Sequence, residues 1–567
     1  MPATRRSMLA MLLSSPLAGC HRGPRPTPPR PRGVSARVAS SADLIVRGAD
    51  IWTLDPGQPR ASAVAISDGV IVAVGDDASI GALAGSSTVS LDAGGGTVTP
   101  GLVDAHAHLL GLGESLDTVD LRGATSIEEV VERLQDGAPA EGWVIGRGWD
   151  QNLWSAAAMP THHPLTQAFP DRPVWLRRID GHAAWGNAAL LRTAGITQRT
   201  DDPEGGEILR GADGTPSGVL IDAAMSLVSV PEASEAEVRR RLQAAQQHVL
   251  ERGLTGVHDM GIGPTCDAAY RSLAADPDGL RIRVHAYAAE PWFVRDLQDH
   301  APDPLLEGSR YALAGVKVYA DGALGSHGAA LLQPYADRPE HRGLLQHDPA
   351  ALHRVVHSAM RGGWQVATHA IGDAANRAVL DTYEEALGVA ARRDPRPRIE
   401  HCQILHPDDI PRFAALGVIA SMQPTHATSD MSWVPERLGE GRLAGAYAWQ
   451  SLLGAGAHVC FGSDFPVELP DVTHGLYAAI TRQDPSGNPS QGWQPEQRVS
   501  LETAIRGFTE EAAFAVHRED ELGRVAVGMR ADLTCFGRVL KEDAPGAIHD
   551  APVLGTLVEG RPEHWAG

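Results

Sequence analysis

The chain has 567 residues, and its 70 acidic side chains outnumber 49 Lys and Arg, giving a formal charge of −21. A surface of that sign repels phosphate, and no basic tract stands outside the first segments, which argues against nucleic acid as a partner. The length exceeds one ordinary core but suits a long α/β barrel carrying accessory pieces.

Residues 1–20 read as an export leader: Arg5 and Arg6, an apolar stretch from Met8 to Leu13, then "LAGC" at Leu17–Cys20. The tetrapeptide resembles a bacterial lipobox, which implies a lipidated Cys20 and a cell-envelope location, lipid-anchored or periplasmic. The alternative is a later start codon and a cytoplasmic protein. The paired arginines only partly match a twin-arginine signal. Residues 21–42, containing "HRGPRPTPPRPRG", are too rich in proline to pack and read as a stiff tether. No later apolar run approaches bilayer length, so membrane contact is expected only through the anchor.

Residues 43–100 alternate short β-rich segments with turn clusters, and residues 519–567 repeat that texture. Strands from both termini are expected to complete one small β-sandwich around the intervening residues 101–518. Within that span, "LVDAHAH", "GLTGVHDMG", "RIRVHAYA", "LAGVKVYADG", "WQVATHA", "RPRIEHCQ", "GVIASMQPTH" and "AHVCFGSDFPV" read as strands. Helical runs such as "SEAEVRRRLQAAQQHVLERG" and "AALHRVVHSAMRGG" fall between some of them, with glycine near their ends. The predicted fold is α/β, a (β/α)8 TIM barrel. The gap between the first two strands, about residues 115–235, is far too long for one crossover and carries Trp143, Trp149, Trp154, Trp175 and Trp185. It reads as an inserted lid, with most of those rings packed in its own core.

The chemistry centres on His106 and His108. On a strand, residues two apart point to one side, so both imidazoles would face one metal ion, and paired neutral imidazoles suit zinc and its neighbours. Alone, such a pair serves equally as two surface histidines on a turn. Lys317, His369, His401 and Asp464 also stand at carboxyl ends of inferred strands, the face where barrels place their chemistry. A barrel brings those ends around one mouth. Cys402 follows His401 and is expected on the opposite strand face; with Cys266, Cys460 and Cys535 it lacks C-x-x-C spacing and reads as a buried small hydrophobe.

These segments resemble the amidohydrolase superfamily, in particular its amidohydrolase-3 or YtcJ-like branch, which includes N-substituted formamide deformylases. The motifs that carry the likeness are "GLVDAHAH", "GWDQNLW", "IDGHAAWGNAAL", "GLTGVHDMG", "GVKVYADGALGSHGAAL", "VATHAIGD", "RIEHCQIL", "FGSDFPV" and "GRVAVGMRADL". The resemblance implies that His106 and His108 hold a first metal, His369 and His401 a second, and that Asp464 binds near the first and contacts the attacking water. It implies Lys317 bridging both ions as a carbamate. One or two zinc ions per chain are therefore expected, two if Lys317 is carboxylated.

A metal-activated hydroxide would attack a small-molecule amide, formamide or cyclic amide, with Asp464 moving the proton to the leaving nitrogen. His182, in the lid motif, is expected to touch substrate or stabilise the oxyanion; a histidine bonded to lid backbone is the alternative. In the glycine-rich loop after Lys317, Asp321, Ser326 and His327 are expected over the substrate. Relatives often carry arginine where His327 stands, which puts carboxylate anchoring by that loop in doubt. His258 and Asp259 are read as supporting the ligands, and His285 and His426 as core or rim residues. The activity expected is zinc-dependent hydrolysis of a carbon–nitrogen bond other than a peptide bond, with a homodimer implied by the resemblance alone. The alternatives are an inactive, lipid-tethered binding protein on the same barrel, although no ligand type is replaced, and a Schiff-base aldolase or lyase using Lys317, which leaves the histidines without a role.

Overall fold

The computed structural model describes residues 41–566 apart from 140, 157, 179–182, 204, 205 and 231. The leader, Cys20, nearly all of the tether and His182 lie outside the described residues. Ala42, assigned above to the tether, already opens a strand, Ala42–Arg47.

Eight parallel strands form the central sheet: β1 (Leu102–Ala107), β2 (Leu254–Ile262), β3 (Arg283–Ala289), β4 (Tyr311–Tyr319), β5 (Gln365–Ala370), β6 (Arg398–His401), β7 (Ile419–Met422) and β8 (His458–Phe461). Each pairs with its neighbour in chain order. They coincide with the eight apolar segments read from the sequence, because strands covered on both faces need continuous apolar runs. The seam between β1 and β8 is joined just past the strand ends. There Asp464 N–H donates to His106 O at 2.8 Å and His108 N–H to Phe465 O at 2.9 Å. Ser463 donates its backbone N–H and its hydroxyl to the Asp104 carboxylate, the latter at 2.6 Å. The barrel is thus nearly closed, with the metal-binding motifs at both sides of the seam.

The surrounding helices follow ordinary start signals. In chain order the relevant ones are α1 (Leu109–Asp117), α2 (Glu235–Leu250), α3 (Pro349–Arg361), α4 (Asp373–Leu387) and α5 (Pro424–Asp430). Ser234 and Glu237 form a reciprocal capping box at the start of α2, and Val238, Leu242, Ala245 and Val249 bury one stripe of it against the barrel. Asp348 caps α3 by accepting from Ala351 N–H. Among the described residues, no helix is long and apolar enough to cross a membrane.

One six-stranded sheet is built from both termini: Leu533–Phe536 lies antiparallel to Thr97–Pro100. It shares a core with an amino-terminal four-stranded sheet through Leu44, Val46, Ile66, Val98, Leu533 and Leu557. Alternation places Ile45 in a different cluster on the other face, as the pleat requires. Between β1 and β2, a second six-stranded sheet runs from Val119–Asp120 to Pro216–Asp222. Trp149, Trp154 and Trp185 pack together on one side of it, with ring centroids about 6 Å apart, and Trp175 lies in the cluster on the other side. These rings form the insert's own core and none lines the barrel mouth. The four described cysteines are free and buried.

Inside the barrel, Gly315 of β4 leaves room for the ring of Tyr287 on β3. A Cβ there would sit 2.1 Å from a Tyr287 ring carbon. Gly315→Ala should therefore displace Tyr287 and destabilise the protein by about 1–3 kcal/mol. The midpoint of denaturant unfolding, compared with that of the unsubstituted chain, measures this, and an unchanged midpoint would show that the barrel interior is looser than its packing implies.

Candidate metal centre

His106, in β1, and His108, just past its end, point their Nε2 atoms at the same oxygen, Asp464 Oδ1, at 3.5 and 3.2 Å. The opposite ring nitrogens fix the orientation. His106 Nδ1 lies 2.6 Å from Glu400 Oε2, and His108 Nδ1 donates to the Met260 carbonyl at 2.9 Å. Donation from Nδ1 leaves each Nε2 lone pair facing the centre, the arrangement metal-binding imidazoles use. His401, the last residue of β6, is held by Gln423 Oε1 at 2.9 Å from its Nδ1. Its ring stands 4.7 Å from His106, 4.6 Å from His369 and 6.1 Å from His426, centroid to centroid.

Two sets of ligand atoms converge: His106, His108 and Asp464, and His401, His426 and Asp464, each within 4.8 Å. Asp464 is common to both. His426 comes from the first turn of α5, beyond β7, with Nε2 3.9 Å from Asp464 Oδ2. His369 lines the same cavity with its ring the nearer of the two to His401, its Nε2 lies 3.6 Å from Asp321 Oδ1, and His426 adds a further imidazole beside His401. Lys317 is buried, with Nζ 3.3 Å from His106 Nε2.

Burial, reinforced by the nearby lysine, pushes His106 down to about 4 and His369 down to about 3. Burial also holds His401 well below the usual imidazole value and brings Lys317 down to about 8. Neutral imidazole is the form that binds metal. Burial alone would raise Asp464, but the positive charge that His106 and His108 carry when protonated outweighs it and holds the carboxylate below the ordinary range. Asp464 Oδ1, His426 Nε2 and His369 Nε2 are buried and bonded to nothing. Unpartnered imidazole nitrogens and a carboxylate oxygen, on residues that line one cavity, fit a cation.

Beneath the ligands, Arg398 forms a hub. Both side chains of the Arg398–Glu400 pair are fully buried, and Arg398 Nε donates to Glu400 Oε1 at 2.8 Å. The same guanidinium reaches Ala105 O on β1 at 2.7 Å, His258 Nδ1 on β2 at 2.8 Å, Tyr287 Oη on β3 at 3.1 Å and Ser421 Oγ on β7 at 2.9 Å. His258 supports the ligands through this hub. Asp259 accepts from Leu109 N–H and from the Tyr270 hydroxyl, which secures the chain leaving His108.

The glycine-rich loop after β4 requires a correction. Asp321 is fully buried, and its carboxylate accepts from the backbone N–H groups of Ala330, Ile371 and Gly372 at 2.8–2.9 Å. It locks the loop to the end of β5 and is spent on that role. His327 turns away to Asp337 at 2.9 Å, and the Ser326 hydroxyl donates to the Ala323 carbonyl at 3.3 Å. None of the three lines the cavity; the loop presents Ala323, Leu324 and Gly325 there. Of the six metal-binding positions expected, all line one cavity of about 370 Å3. Its outer wall is Tyr319, Leu324, Trp433 and Val467, with Asp430 and Glu468 nearby. Sequence reasoning missed Glu400, Arg398, Gln423 and Trp433 and left His426 at the rim. The signal for His426 was "MQPTH": a proline starting a helix straight after β7 turns that first helical turn back over the mouth.

The family model described as amidohydrolase family matches residues 90–563. Among its relatives, the chain is similar to the Arabidopsis thaliana protein LONG AFTER FAR-RED 3, 35% identical over 92% of this chain and 91% of that one. It is 33% identical to YtcJ of Bacillus subtilis over 91% and 98% of the two chains. It is 29% identical to the N-substituted formamide deformylase of Arthrobacter pascens over 91% and 97%. A crystal structure titled as an uncharacterised metal-dependent hydrolase from Pyrococcus furiosus superposes with a TM-score of 0.73 at 29% identity, covering 86% of this chain and 97% of that one.

Because Glu400 orients His106, Glu400→Gln should weaken metal binding by about 10–100-fold in chelator competition. Arg398→Met should cost about 3–5 kcal/mol of stability, since it strands the Glu400 charge in the barrel. Unaltered metal affinity in Glu400→Gln would show that His106 needs no support from behind.

Proposed function

Because the chain belongs to the amidohydrolase family, we propose that it is a zinc-dependent hydrolase cleaving a carbon–nitrogen bond other than a peptide bond, in an amide, formamide or cyclic amide bearing an apolar group. The observation that carries this reading is the convergence of four imidazoles on Asp464 beside buried Lys317, in one cavity with an apolar outer wall. His106, His108 and Asp464 would hold one ion, and His401 with His426 or His369 a second. Zinc bound there supplies a nucleophile at neutral pH and polarises the scissile carbonyl.

The chain's own groups do the rest. Asp464, ionised and lining the cavity, accepts the proton of the attacking water and delivers it to the departing nitrogen. His426, lining the cavity with an unbonded Nε2, is placed to donate to the carbonyl oxygen whenever it is not itself a ligand. Lys317 can add carbon dioxide at its free amine, with loss of one proton, to give a carbamate whose anionic oxygens would help hold metal there. An intact-mass increase equal to carbon dioxide would report that modification. The leader and tether in residues 1–40 support export to the cell envelope and lipid attachment at Cys20; this part of the proposal rests on the sequence alone.

The cavity also constrains the substrate. Lys317 is the only Lys or Arg among its described lining residues and it is buried, whereas Asp430 and Glu468 add acidic groups to the lining. Neutral or cationic amides are therefore favoured over anionic ones, and Trp433, Leu324 and Val467 offer an apolar seat for a substituent. The likeness to an N-substituted formamide deformylase supports the same choice. The aromatic wall belongs to Trp433, because the insert's tryptophans are committed to their own core.

Asp464→Asn should keep bound metal yet lose turnover by about 10²–10⁴-fold, measured with the zinc-loaded protein on a panel of aryl- and alkyl-substituted formamides and amides. Full activity in that variant would remove the proton-transfer role. In the same panel, Trp433→Ala should lower kcat/KM for apolar substrates by about 10–100-fold, as expected for losing a large buried contact. Turnover of small anionic amides alone would overturn the substrate assignment.

A further inference from the structure

A second group of metal-binding side chains lies on the outer helical layer. Helices α3 and α4 bracket β5, the strand that carries His369. His353 and His357 stand four residues apart on α3 and so share one face. Their rings are stacked, with centroids 3.6 Å apart and planes 27° from parallel. Glu385, in the last turn of α4, reaches across to place Oε2 3.0 Å from His353 Nε2. One nitrogen from each histidine and one glutamate oxygen lie within 4.8 Å of one another.

An ordinary His353–Glu385 ion pair accounts for only part of this arrangement. His357 Nε2 is buried and has no hydrogen-bond partner, and the stacked rings present a second imidazole to the same spot. His353 and Glu385 are 40% and 67% exposed, so the group is open to solvent on one side. None of the three lines the barrel cavity.

We propose that His353, His357 and Glu385 form a peripheral binding site for a divalent transition-metal ion, which staples α3 to α4. Two imidazoles and one carboxylate select zinc, nickel or copper over calcium and magnesium, which demand more oxygen ligands. Three protein ligands leave one position to water, and the ion would satisfy the idle His357 nitrogen. An ion that binds only the folded helix pair stabilises it by mass action. The two helices it joins lead into and out of β5, so the staple steadies that edge of the metal centre without taking part in its chemistry.

The test uses the full chain as purified, dialysed against a fixed micromolar concentration of free zinc, with zinc per chain measured by elemental analysis. The unsubstituted protein should hold one more zinc than His357→Gln. Added zinc should raise its melting temperature by about 1–3 °C, with no such rise in the variant. Equal zinc content and equal shifts in the two proteins would overturn the proposal. Should His357→Gln fold poorly, Glu385→Gln removes a largely exposed ligand instead and must show the same loss. The barrel centre is intact in both variants, so its own zinc cancels in the difference.

Discussion

A charge pair buried at the foot of the metal centre sets the geometry above it. Arg398 and Glu400 have no exposure to solvent, so the cost of desolvating them is met only because every part of the pair is engaged. Arg398 ties β6 to β1, β2, β3 and β7 through one guanidinium, and Tyr287, which it contacts, donates in turn to Gln365 on β5 at 2.6 Å. A planar group with five donors can serve several strands at once, which an ammonium cannot. Glu400 passes that order upward by fixing the ring of His106. Barrel register and ligand orientation are therefore one constraint.

The rim above this hub is held in uncommon backbone conformations. His401, Cys402 and Asp464 have φ of +76°, +47° and +61°. Non-glycine residues in that region cost about 1–3 kcal/mol each and persist where surrounding bonds enforce them. Here the Asp464 backbone N–H is held by His106 O, and the His401 ring by Gln423. Gly462, just before, cannot be replaced cheaply, because a Cβ would lie 2.5 Å from Asp104 Oδ1 and 2.6 Å from His106 N. The strain aims side chains that a regular strand would point elsewhere.

The same geometry explains what could be read from the residues. The eight barrel strands were legible because strands covered on both sides are short apolar runs, and the ligand positions because they interrupt those runs at their carboxyl ends. Glu400 was hidden by the rule that revealed the rest. Alternation puts His401 inward and its neighbour outward, whereas Arg398 and Glu400 fill the barrel interior and His401 enters the cavity through its left-handed backbone. His426 was hidden because it lies on a helix, where strand parity says nothing. Asp321, Ser326 and His327 were misjudged because polar residues in a glycine-rich loop suggest contact with a ligand, while here they satisfy the loop's own backbone and neighbours. Partners met only in three dimensions leave no spacing to read.

The sheet that joins the two ends of the chain imposes an order on its assembly. Leu102 donates to Thr534 across 432 residues, beside the pairing of Thr97–Pro100 with Leu533–Phe536. At roughly 5–20 residues per second on the ribosome, the early strand waits about 20–90 s for its partner to be synthesised. During that interval one side of Thr97–Pro100 is an open edge, the kind of surface that recruits other strands. The nascent protein thus spends most of its synthesis with that sheet unfinished, its early half waiting on the last strands to be made.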